Sequence, residues 1–236
     1  MKRTVSLFTA ILLALLLLLP GCAAKETAAV LAPEEILTTS YDSMQAVKSF
    51  HFVLDHVGGG TPITAGVSIT MTKAEGDIMR PDKFQTTIAG TVMGSAIEVG
   101  LVTIGSDTMM KNPMNGKWEP MSDMFAILTV FDPGTGVAAI INGLSDPEDA
   151  GDEKIGDVLC YHLTGTIASE DLKPLTGATV EGGVIPAEVW IDKDTMLVQQ
   201  VRLTGKITNT EKDGIERTLT FTNYGADIEI ALPPAD

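Results

Sequence analysis

Thr218-Leu219-Thr220-Phe221-Thr222 sets threonine against a large apolar residue at every other position. A period of two puts the apolar side chains on one face of a β-strand and the threonines on the other. The same period recurs upstream. Phe50, Phe52 and Leu54 alternate with His51, Val53 and Asp55, and Val67, Ile69 and Met71 alternate with Ser68, Thr70 and Thr72. Gly58-Gly59-Gly60 is read as the turn between those two strands. Residues 83–93 and 95–104 form a further pair, the second nearly apolar on both faces. Residues 107–111 make a short strand that leads to an Asn115-Gly116 turn and Trp118. Beyond residue 150, strands are expected over 154–167, 185–192, 196–207 and 215–224. Asp192-Lys193-Asp194 and Lys212-Asp213-Gly214 supply the hairpin turns.

Helical signals are few. Pro33-Glu34-Glu35 places proline and acids where a first turn favours them. Ile36, Leu37, Tyr41, Met44 and Val47 follow at helical spacing, so a helix ending near Ser49 lays one face on the body. A short helix capped by Ser169 is expected over 169–175. Residues 121–144 are strongly apolar, and the only charge between Asp123 and Asp146 is Asp132. Asp132-Pro133-Gly134 splits this stretch into two short helices. A one-sided antiparallel sheet needs a cover for its apolar face, and these helices supply it. The fold class is α+β: a curved antiparallel half-barrel with helices packed in its concave face.

The N-terminus has the three parts that export requires. Lys2 and Arg3 are followed by an apolar run over 7–19, broken only by Thr9, and then by Leu19-Pro20-Gly21-Cys22. That order defines a signal peptide over 1–21. The run falls short of the ~20 residues a membrane span needs. Leu-Pro-Gly-Cys resembles a lipobox, which makes Cys22 the diacylated first residue of the mature chain. Residues 22–32 are the tether, and 33–236 form a single domain. Losing Lys2 and Arg3 takes the net charge from −15 to −17. Such a surface repels nucleic acid and anionic lipid, so acyl chains must hold the protein at the outer face of the cytoplasmic membrane. Only Cys160 remains as a second cysteine, read as a small buried apolar residue.

Catalytic groupings are absent from the sequence pattern. His51, His56 and His162 lie at no metal-ligand spacing and beside no nucleophile. The acidic stretch over 145–153 has Ala150 where a calcium loop wants an oxygen ligand, and reads as a solvated loop. The chain is therefore read as a binding protein and not an enzyme, with no cofactor.

The succession of lipobox, helix, meander, apolar helical insert and second meander resembles the LppX/LprG-type lipoproteins. Ile155-Gly156-Asp157 leading into Tyr161-His162-Leu163-Thr164-Gly165 carries the likeness. So do Ile185-Pro186-Ala187-Glu188-Val189-Trp190-Ile191-Asp192, residues 196–203 and Thr218-Leu219-Thr220-Phe221-Thr222-Asn223-Tyr224-Gly225. Ser49-Phe50-His51-Phe52 and Gly116-Lys117-Trp118 fit the first half. The resemblance implies an apolar cavity for the acyl chains of a lipid or glycolipid carried through the cell envelope. It brings no catalytic residues. An envelope transporter is an implied partner, and a sensor or interaction module on the same fold is the alternative. With only 5% aromatic residues to fill the inner face, the side chains expected to line such a cavity are Val67, Ile69, Met71, Val99, Leu101, Phe125, Leu128, Ile140, Ile141, Val189, Ile191, Val201 and Leu203.

Overall fold

The computed structural model describes residues 31–65, 67–121, 137–173 and 179–234. In chain order the first half runs α1 (Pro33–Ala46), β1 (Ser49–Val57), β2 (Thr61–Ala65), β3 (Val67–Met79), β4 (Lys83–Val92), β5 (Ser95–Ile104), β6 (Asp107–Lys111) and β7 (Trp118–Pro120). The second half runs α2 (Val137–Gly143), β8 (Ser145–Ile155), β9 (Val158–Ala168), a 3-10 turn (Ser169–Leu172), β10 (Val184–Asp192), β11 (Val198–Thr204) and β12 (Glu216–Thr222). All twelve strands join one antiparallel, curved sheet in the order β7-β6-β5-β4-β3-β1-β12-β11-β10-β9-β8, with β2 beside β3. Two meanders thus meet where β1 pairs with β12. The unit that contains them spans Ala32–Asp236.

The period-two reading places the strands well and misplaces some of their joints. Gly58-Gly59-Gly60 does not turn a hairpin. β2 resumes along the same edge of β3 that β1 occupies, pairing Thr61 with Met71 and Ile63 with Ile69. The chain reverses between Ala65 and Val67 instead. Gly60 is needed because a Cβ there would sit 2.4 Å from the Met71 carbonyl oxygen. The acidic stretch read as a loop is β8, the edge strand. Its Asp146, Glu148, Asp149, Asp152 and Glu153 are exposed, which blunts an edge that could otherwise pair with another chain. Residues 154–167 are consequently not one strand: Gly156 and Asp157 turn β8 into β9. The expected helix over 169–175 begins as a 3-10 turn. Ser169 does not cap it; its hydroxyl donates to the Val180 carbonyl. Lys212-Asp213-Gly214 ends a longer connection over 205–215 and is not itself the hairpin.

Helix α1 buries Ile36, Leu37, Ser40 and Met44 along one side. Its last turn has no basic residue of its own, and Arg80 supplies the missing charge. Arg80 Nη1 donates to the carbonyls of Met44 (2.8 Å), Gln45 (3.2 Å) and Val47 (2.5 Å), groups that a helix end leaves unsatisfied. Tyr224 completes the junction: its hydroxyl donates to the Val198 carbonyl and lies 3.6 Å from Met44 Sδ. Beneath the helix, Phe50 meets Phe221 edge-on at 5.7 Å, and Phe52 stacks on Phe84 at 6.0 Å, geometries that aromatic pairs prefer. α2 buries Ile140 and Ile141, and Leu144 follows it. A Cβ on Gly165 would lie 2.9 Å from the Leu144 side chain, so glycine lets α2 close down on β9.

Candidate functional site

One line of side chains crosses eight strands without a break. Leu163, Val189, Val201, Leu219, Leu54, Ala74, Ile88 and Val99 are successive register partners from β9 to β5. Side chains in register point to one face of a sheet, so these form one aliphatic row. All but Leu54 are buried, with Leu219 the most accessible of them at 7%. Polar residues occupy the opposite face, for example Thr164, Glu188, Arg202, Thr218 and Thr220. Gly165 lies on the same side as the row, because it pairs with Ala187, which alternates with Val189. Leu144 packs over it, so α2 covers the apolar face.

Most of the residues expected from alternation fall on this face. Val99, Val189 and Val201 belong to the row, and Leu101, Ile191 and Leu203 lie two positions along their strands, all buried. The ambiguity of β5 resolves with Val99 and Leu101 inward and Glu98 exposed on the other side. Ile69 is buried and Met71 half-buried beyond the bulge at Thr72 in β3. Ile140 and Ile141 are buried on α2. Val67 is placed in β3 by its backbone pairing with Ala65, its side chain lying outside what is described. Cys22, Phe125 and Leu128 lie outside the described residues.

Alternation missed a polar cluster at one end of this face. His56 and Arg217 are register partners, each two residues beyond Leu54 and Leu219. Arg217 Nε donates to Thr61 Oγ1 at 3.0 Å and Nη1 to the Gly205 carbonyl at 2.9 Å, and its guanidinium pairs with Glu211. Thr61 Oγ1 also bonds Glu211 Oε1 (3.0 Å) and His56 Nε2 (2.9 Å). Glu211 Oε2 accepts from the backbone amides of Ile207 (2.7 Å) and Thr208 (3.0 Å). Thr61, Glu211 and Arg217 are buried. Burial pushes the Glu211 carboxyl up, but the Arg217 hydrogen bond and charge, with the two amides, more than cancel this and leave it below the usual range. Burial, reinforced by the Arg217 charge, lowers His56 to about 4, so it is neutral near pH 7. The signal was present in the sequence: both strands interrupt an inward apolar series with a basic residue.

A second cluster lies on the outer face. Trp190 is 2% exposed although it points away from the row. His162 stacks on it at 4.4 Å and the Arg202 guanidinium lies 5.0 Å from its centroid. Its Nε1 donates to Glu153 Oε2 (2.8 Å), and Glu188 joins His162 (2.9 Å) and Arg202 (3.2 Å). Arg202 Nε also lies 3.6 Å from Glu216 Oε1 on β12, so the cluster is a clamp that ties β8 to β12. His51 is likewise engaged, its Nδ1 2.8 Å from Asp77 Oδ1. Cys160 is fully buried, and burial raises its thiol pKa. Among the described residues, no three His, Cys, Asp or Glu side chains are placed to hold a metal ion, and no helix is long and apolar enough to cross a membrane.

Comparison with known proteins agrees with this geometry. The chain is 25% identical over 179 residues to the lipoarabinomannan carrier protein LprG of Mycobacteroides abscessus, covering 75% of this chain and 76% of that one. It is 24% identical to the LprG of Mycolicibacterium hassiacum, over 96% of this chain and 98% of the relative. The crystal structure of LprF from Mycobacterium bovis superposes with a TM-score of 0.68 at 17% identity, covering 86% of this chain and 97% of LprF. That of Mycobacterium tuberculosis LppX gives 0.59 at 17% identity, covering 84% and 97%. These two share the fold. The family model of the LppX_LprAFG lipoproteins matches residues 32–230, nearly the whole folded unit, and the chain belongs to that family.

Proposed function

We propose that this protein carries acylated lipid or glycolipid through the cell envelope. The acyl chains lie against the apolar face between the sheet and its helices. The observation that carries the reading is the aliphatic row over eight strands, one continuous apolar face on the side of the sheet that α2 covers. Relatives named for carrying lipoarabinomannan support a ligand that joins acyl chains to sugar. Each methylene removed from water contributes ~0.8 kcal/mol, so two long chains suffice for tight holding without any charged contact.

Diacylated Cys22 anchors the protein at the outer side of the membrane in this reading. Two chains hold firmly where one is marginal, and they do so against a protein surface of net charge −17. From that tether the domain can exchange cargo with the membrane or with a transporter. Transfer of a pyrene-labelled phospholipid between vesicles tests the reading. Wild-type protein is expected to accelerate transfer, and Val99→Trp, which fills the inner face, to slow it. Equal rates with and without protein would refute it.

A further inference from the structure

On the opposite side of the sheet from the aliphatic row lies a pocket of about 480 Å3. Its floor is the outer face of β3, β4 and β5, and the loop after β6 with Trp118 forms one wall. Gly100 makes the floor low there: a Cβ on it would lie 3.2 Å from the Trp118 ring and 3.3 Å from Lys111 Cβ. The far wall is a fixed polar array. Asp77 accepts from Gln85 Nε2 at 2.7 Å through one oxygen and holds His51 Nδ1 at 2.8 Å through the other. Glu98 stands exposed beside Gly100. The volume falls within the range of ~300–1,000 Å3 typical of small-molecule sites.

We propose that this pocket binds a neutral saccharide. Its lining excludes the other ligand classes in turn. Acyl chains need a continuous apolar wall, and here Trp118, Val102 and Pro113 are interspersed with carboxylates, amides and an imidazole. Anions are repelled by Asp77 and Glu98, set against Lys111 alone once Lys73 and Glu75 cancel as an ion pair at 2.6 Å. A polyamine wants several unpaired carboxylates along its length, yet Glu98 alone is unpaired here, with Asp77 engaged by His51 and Gln85 and Glu75 by Lys73. Sugar hydroxyls each donate and accept, which suits planar groups already locked in place: Gln85 keeps its carbonyl oxygen, His51 its Nε2, and Glu98 both oxygens. The Trp118 indole offers a ring against which the C–H face of a pyranose can lie. This site is distinct from the apolar face: the two lie on opposite sides of the sheet.

The two tryptophans make the test internal, since Trp118 lines the pocket and Trp190 lies in the other meander. The full chain in detergent micelles is titrated with neutral oligosaccharides of glucose, mannose, galactose and arabinose while the two indole N–H signals are followed, with assignment by Trp118→Phe. We expect at least one sugar to shift the Trp118 signal saturably, at a millimolar Kd, with Trp190 unmoved. Gln85→Ala and Glu98→Ala should each weaken that binding tenfold or more without changing the melting temperature. Should Gln85→Ala fail to fold, Glu98→Ala alone decides, because its exposed side chain supports no packing. No saturable shift with any sugar overturns the proposal. So does binding that both variants leave intact, or saturation by spermidine in place of every sugar.

Discussion

His56 on β1 lies directly opposite Arg217 on β12, in the strand pair that joins the two meanders. Both are basic, both sit on the inward side of the sheet, and Thr61 and Glu211 reconcile them. The inner face therefore has an aliphatic span and one closed polar end. Through Glu211 that end also fixes the connection over 205–215.

This arrangement makes stability depend on pH in a defined window. His56 is held at about 4 in the folded chain, below its ordinary 6.5. Above pH 6.5 it is neutral in both states and costs nothing. As pH falls from 6.5 toward 4, the unfolded chain takes up a proton that the folded chain refuses, so stability declines, and this contribution levels off below about 4. The loss amounts to ~3 kcal/mol at most. His56→Gln should flatten the decline between pH 6.5 and 4 in urea melts. Parallel slopes for the two proteins would show that His56 is not buried beside Arg217.

Arg217 and Glu211 should be strongly non-additive. Arg217→Met leaves a buried carboxylate without its partner, a loss of ~3–5 kcal/mol. Adding Glu211→Gln removes the stranded charge while keeping an oxygen for the Ile207 and Thr208 amides, and should recover much of that loss. A double variant no more stable than Arg217→Met alone would contradict the pairing.

The halves should unfold together. Leu54 and Leu219 face each other at the β1–β12 seam, and the register continues through it without a bulge. Fluorescence of Trp118 in the first meander and Trp190 in the second should report the same urea midpoint. Leu219→Ala should lower both by the ~2–5 kcal/mol expected of a large-to-small core change. Two separate transitions would mean that the meanders are independent.

Alternation made the strands and most inward residues legible, because a sheet with one buried face imposes its period on the sequence. The failures were at places where local pattern and tertiary role diverge. Three glycines in a row look like a turn, yet here they interrupt an edge so that the backbone can pass close to Met71. An acidic stretch looks like a loop, yet an edge strand carries charge for its own protection. Arg217 and Glu211 were invisible as a pair, since the bond between them depends on how residues 205–215 fold back. Trp190 carries no signal of its own place in the alternation, and His162 and Arg202 bury it on the outside. The polar pocket at Trp118 gave no sequence signal, being assembled from β1, β3, β4, β5 and the loop after β6.

Val99 separates an occupied inner face from an ordinary core. It is 5% exposed and ends the aliphatic row at β5. In a close-packed interior Val99→Trp overpacks and costs ~1–3 kcal/mol. Against a face that acyl chains occupy, the indole takes their place, so bound lipid should fall while the melting temperature stays near normal. A large drop in melting temperature with unchanged lipid would speak for a packed core.

The most direct measurement is mass spectrometry of an organic extract of the folded protein, purified from the membranes of its own cells. Lipid bearing acyl chains should appear in near-stoichiometric amount, and should be depleted in the extract of Val99→Trp prepared in parallel. Acyl groups joined to Cys22 in the proposed anchor would be covalent and stay with the protein, so they would not enter the count. An extract with no lipid beyond that of a control membrane protein, from both wild type and variant, would contradict the carrier reading.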